Sequence, residues 1–128
     1  MNGTYQQHFP MVVDETYSNW FTPASGFTVT SAFLRQVDQN LYLIGMTGEF
    51  SADVITAHSQ TKIGSLNLSY FGGKPLAGNI PAVVVKTNDS SYYSAVVAVF
   101  SSGDTFVRAP ESNAYQVLFT GLLVRREA

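Results

Sequence analysis

The chain has 128 residues, no cysteine, 7 basic against 9 acidic side chains, and a charged fraction of only 12%. That length suits one domain with one core, burying roughly two-thirds of the surface of its unfolded form, so folding needs neither disulfides nor metals. The composition excludes disulfide staples, thiolate zinc sites and a cysteine nucleophile, and the near-neutral balance with no basic block argues against phosphate-driven nucleic-acid binding.

Residues 1–25 scatter Gln6, Gln7, His8, Pro10, Asp14, Glu15, Asn19 and Pro23 among aromatics with little alternation. They read as an irregular arm or linker that packs on a neighbour through Phe9, Val12, Val13, Tyr17, Trp20 and Phe21, with Trp20 as its anchor. No basic segment followed by an apolar core marks a targeting signal, and no apolar run reaches membrane-spanning length.

From residue 26 onward the chain is a series of short strand-like runs cut by turn signals: 27–36, 41–50, 62–68, 80–87, 92–101, 105–108 and 115–126. They are rich in Val, Phe, Tyr, Thr and Leu, which fit a pleated, half-buried surface. The expected fold is therefore all-β, an antiparallel β-sandwich or jelly-roll-like barrel of about seven to eight strands over residues 26–128. Val37-Asp38-Gln39-Asn40 suits a polar turn between the first two runs, and Ser101-Ser102-Gly103-Asp104 closes another hairpin, giving a meander through residues 80–107. In the last run Tyr115, Val117, Phe119, Gly121 and Leu123 share one face. The opposite face carries Gln116, Leu118, Thr120, Leu122 and Val124, and its Leu118, Leu122 and Val124 put apolar groups there too, so this strand is expected to be central or to lie at a subunit interface. Gly121 marks a bulge or a close backbone approach.

The order of these elements resembles a known family. The hairpin Phe33-Leu34-Arg35-Gln36-Val37-Asp38-Gln39-Asn40-Leu41-Tyr42-Leu43-Ile44-Gly45-Met46-Thr47-Gly48 is followed by Ile63-Gly64-Ser65-Leu66, then by a loop region with Pro75 and Pro81. After these come residues 82–86 and 95–100, the Ser101 to Asp104 turn, and a closing strand that ends at Val124. Over residues 26–126 this is similar to the receptor-binding head of tail-fibre and baseplate proteins of phages that infect Gram-positive bacteria, the lactococcal type in particular. The resemblance implies a homotrimer on the virion tail tip or baseplate, with other tail proteins and host cell-wall saccharide as partners and no cofactor. Residues 1–25 depart from the coiled-coil or β-prism stem that such proteins often carry.

Catalytic sets are hard to assemble. His8 and His58 have no second ligand at metal spacing, Gly72-Gly73-Lys74-Pro75 lacks the rest of a phosphate loop, and no Gly-x-Ser-x-Gly elbow occurs. Asp53, Asp89, Asp104 and Glu111 are loop carboxylates that a hydrolase would need to bring to one end of the fold. Sugar binding asks for less: a flat ring for the C–H face of the sugar, and carboxylate, amide, imidazole or guanidinium partners for its hydroxyls. Asn88-Asp89-Ser90-Ser91-Tyr92-Tyr93 has that composition, the loop of Arg108 and Glu111 is stiffened by Pro110, and His58 lies in the loop before residue 60. The expected saccharide site is Asp89, Tyr92, Tyr93, His58, Arg108 and Glu111, without catalysis, and the expected oligomer contact is Leu118, Leu122 and Val124. Two other classes stay open, a purely structural fibre-tip or baseplate trimerisation domain and a cell-wall polysaccharide hydrolase.

Overall fold

A computed structural model describes residues 13–52, 54–86 and 91–126. Strands make up 65% of the described residues and helical turns 6%, so the fold is all-β. The strands are β1 (Val13–Asp14), β2 (Phe21–Pro23), β3 (Phe27–Asp38), β4 (Leu41–Phe50), β5 (Gln60–Leu66), β6 (Leu76–Lys86), β7 (Tyr92–Val99), β8 (Asp104–Arg108) and β9 (Ala114–Arg125). Short 3-10 turns occupy Tyr17–Asn19 and Leu68–Phe71.

All nine belong to one antiparallel sheet in the order β1-β3-β4-β9-β6-β7-β8-β5-β2. The expected hairpin joins β3 to β4, and β6, β7 and β8 form the expected meander. The last strand, β9, is central, hydrogen-bonded to β4 on one side and to β6 on the other. Although β2 ends one side of the sheet and β3 lies next to the other end, only residues 24–26 separate them in sequence. Such a short link forces the sheet to curl, and it is pinned by hydrogen bonds from Ala24 N–H to the Ile63 carbonyl and from Ser51 N–H to the Gly26 carbonyl.

One interior results, filled by Trp20, Phe21, Ile44, Ile63, Phe71, Ile80, Val97, Val107 and Leu123, each almost fully buried. This corrects the expected arm over its described part. Residues 13–23 contribute β1 and β2 to the sheet, and Trp20 and Phe21 belong to the common core instead of resting on a neighbour. The described residues form nine strands where about seven to eight were expected, because these two are too short to show a period.

Strand β6 starts four residues earlier than the pattern predicts. Pro81 hid that start, yet it lies where the β6–β9 ladder is interrupted between Ala77 and Ala82, so its missing N–H costs no bond to β9. Gly121 sits opposite this gap, where a Cβ would come within 2.7 Å of Ile80 Cγ2; the glycine is the close approach, letting Ile80 pack over it.

Register separates two ends. One carries the β3–β4 turn, the β7–β8 turn and Leu68–Phe71, and Arg125 ties it together: its Nε donates to Asn40 Oδ1 at 3.0 Å and its Nη2 to the Gln39 carbonyl at 2.8 Å. The other end carries the loops around His58 and Pro110, since Gln60 pairs with Arg108.

Candidate binding sites

The loops before β5 and after β8 are laced together. His58 N–H donates to the Ala109 carbonyl at 2.8 Å, Asn113 N–H to the Ile55 carbonyl at 3.0 Å, and Ala57 N–H to Ser112 Oγ at 2.9 Å. His58 is held there in the left-handed region, φ 61°, which residues other than glycine seldom occupy. The result is a shallow depression of about 320 Å³ with His58 and Arg108 exposed on its rim and Ala95, Val96 and Pro110 on its floor. Ser94 completes its wall, and among the described residues no carboxylate lines it. Arg108 is the outer-face partner of Val96 across β7–β8.

Strand alternation separates the adjacent tyrosines. Tyr92 points outward at 74% exposure, on the face that also bears Ser94 and Val96, while Tyr93 packs against the core. Glu111 forms an ion pair with Lys86 (Oε1 to Nζ 3.5 Å), and the same Lys86 ammonium stands 5.4 Å from the Tyr93 ring centre. His58, Arg108 and Tyr92 thus share one side of one end, whereas Tyr93 and Glu111 are occupied with structural partners. Asp89 lies outside the described residues, as does Asp53.

Of the candidate hydrolase carboxylates, the two among the described residues, Asp104 and Glu111, do not converge. Asp104 is at the opposite end from Glu111. There hydrogen bonds from Ser65, Lys62 and Ser102 hold its carboxyl below the usual range. Among the described residues no group of three or more His, Cys, Asp or Glu is placed to hold a metal ion.

The outer face of β9 carries Leu118, Leu122 and Val124, with Gln116 and Thr120 between and beside them. Leu122 is 53% and Val124 42% exposed, and Leu118 is half-buried. Across the ladders Leu122 meets Leu43, Val124 meets Ala77, and Leu118 meets Thr47 on one side and Val83 on the other. Leu118 therefore forms a ridge between two shallow grooves, one of about 380 Å³ toward Pro81 and Val83 and one of about 220 Å³ toward Ser31 and Phe33.

A further cleft, for which the sequence carried no signal, opens at the far end. It has a volume of about 600 Å³, between β1 and the Leu68–Phe71 turn, and Asp14, Glu15, Thr16, Gln36, Tyr42 and Tyr70 line it. Asp14 Oδ2 accepts from the Tyr70 hydroxyl at 2.8 Å and from Asn19 Nδ2 at 3.4 Å, and Oδ1 accepts from Thr16 N–H at 3.0 Å. Burial pushes the Asp14 carboxyl up, but these three hydrogen bonds outweigh it and hold it below the usual value. Burial and the neighbouring carboxylate push the Tyr70 hydroxyl up to about 12, so it stays a neutral donor. A carboxylate depressed in the folded state contributes stability above its unfolded value, lost as pH falls through the folded one. Melting temperature followed by circular dichroism is therefore expected to fall less steeply between about pH 5 and pH 2 in Asp14→Asn than in the parent.

Comparison with protein-family models, with curated proteins and with solved structures finds no match to this chain.

Proposed function

We propose that the domain is a non-catalytic adhesin of the phage receptor-binding type, which recognises host cell-surface saccharide and acts as a homotrimer on the virion. The observation that carries this reading is the apolar-floored depression with His58 and Arg108 on its rim, whose Ser94 and Val96 share the outer face of β7 with exposed Tyr92. A sugar ring resting on Val96 and Pro110 leaves its hydroxyls to the imidazole and guanidinium. The Arg108 guanidinium on the rim also suits a phosphorylated glycan. Weak single sites suffice when several copies engage one wall polymer together.

Binding to a panel of neutral and phosphorylated cell-wall glycans tests the assignment. Alanine at Tyr92, His58 or Arg108 is expected to weaken binding about ten-fold to a hundred-fold. Because all three side chains are exposed, melting temperature should hardly move. If all three variants bind like the parent, the depression is not the site.

The apolar outer face of β9 supports self-association and equally favours the second reading, a structural trimerisation domain that binds no saccharide. Leu122 is more than half exposed in a single copy, so Leu122→Glu should leave the fold intact while light scattering shows the mass dropping to that of one chain. A parent protein that is already a stable monomer at micromolar concentration would overturn the trimer.

A further inference from the structure

The cleft between β1 and the Leu68–Phe71 turn differs in electrostatic character from the His58–Arg108 depression, and it lies at the opposite end of the curled sheet. Two carboxylates, Asp14 and Glu15, line it, and among the described residues no Lys, Arg or His does. One wall is the Tyr70 ring, 41% exposed. Its position is set at the hydroxyl by Asp14 and at the ring by a T-shaped contact with Phe71, whose centre is 5.3 Å away at 65°. Phe71 is in turn fixed by the nearly perpendicular Tyr42 ring at 5.0 Å. The wall is therefore prearranged, so little ordering is needed when something rests on it.

From these features we propose that the cleft is a second ligand site, one that takes a saccharide bearing a protonated amine. The ring of Tyr70 offers a stacking face for the sugar and a negative quadrupole for the ammonium. Asp14 already accepts three hydrogen bonds and so acts as a fixed negative charge that positions Tyr70, while exposed Glu15 is the carboxylate left to receive the amine. Gln36 donates its Nε2 to the Gln39 carbonyl at 3.1 Å, which leaves its Oε1, with the Thr16 hydroxyl, for sugar hydroxyls. A lysine side chain would satisfy the charge but would leave these two polar groups without a use. A phosphorylated glycan would meet the two carboxylates Asp14 and Glu15.

Amide-resolved NMR titration of the whole chain at mildly acidic pH, with glucosamine, glucose, glucose 6-phosphate and lysine amide as probes, tests this. Glucosamine should shift the resonances of Thr16, Gln36 and Tyr70 and bind about ten-fold more tightly than glucose, with no response there to glucose 6-phosphate. Glu15→Gln, an exposed change with no bearing on folding, should bring glucosamine down to the level of glucose. Tyr70→Ala should lower the affinity for both about ten-fold. Arg108→Ala should leave all of this unchanged, which separates this site from the depression at the other end. The proposal is overturned if glucose 6-phosphate or lysine amide binds the cleft as well as glucosamine, or if Glu15→Gln keeps the preference for the amine.

Discussion

Replacing Trp20 with alanine is expected to cost about 3–5 kcal/mol of stability, a large part of what a domain of this size possesses. Trp20 is fully buried, and its indole Nε1 donates to the Asp14 carbonyl at 3.2 Å, tying the crossover between β1 and β2 to the core. The substitution leaves a cavity where the two ends of the sheet order meet and removes the donor that fixes Asp14. Thermal unfolding should shift downward by roughly 10–20 °C. Trp20→Phe, which keeps much of the volume and loses the hydrogen bond, should recover more than half of the loss. A Trp20→Ala protein that melts within a few degrees of the parent would show that residues 13–23 are not part of the cooperative core.

The second large effect is expected at Gly103. Its φ is +92°, and a Cβ there would stand 2.3 Å from the Leu66 carbonyl oxygen, a backbone atom that cannot swing aside. The same turn is bonded on both sides, with Leu66 N–H donating to the Gly103 carbonyl at 2.8 Å and Gly103 N–H to the Phe100 carbonyl at 2.9 Å. Gly103→Ala should therefore cost about 3 kcal/mol by denaturant unfolding, the sum of a left-handed backbone penalty and a steric clash. Gly73 is the control, with φ +74° and no atom within 4 Å of its added Cβ, so Gly73→Ala should cost only the backbone part, about 1 kcal/mol. Equal losses at the two positions would mean that the β7–β8 turn relaxes away from β5.

Much of the fold was legible because a strand writes its two faces into the sequence with period two. The runs that became β3, β4, β7, β8 and β9 lie within two residues of the expected positions, and the polar turn before Leu41 and the glycine turn before Thr105 are where the composition put them. Arm residues 13–23 were misread because strands of two and three residues have no period, and because Trp20 and Phe21 give no hint locally of what buries them. The site was legible in residue type only. His58 and Arg108 are 50 positions apart, and Asp14 and Tyr70 are 56 apart, so no spacing rule joins either pair.

By itself the sequence determined the class of the fold, the alternation that sets Tyr92 against Tyr93, and the apolar residues on both faces of the last strand. These follow from side-chain size, polarity and the pleat, which act between near neighbours. The tertiary structure alone decided that β9 lies between β4 and β6, that the sheet curls until residues 24–26 link its ends, and that two loops and two distant elements each meet in a cleft. Those outcomes depend on burying one common core and closing long loops, free energies that belong to the whole chain and to no segment of it.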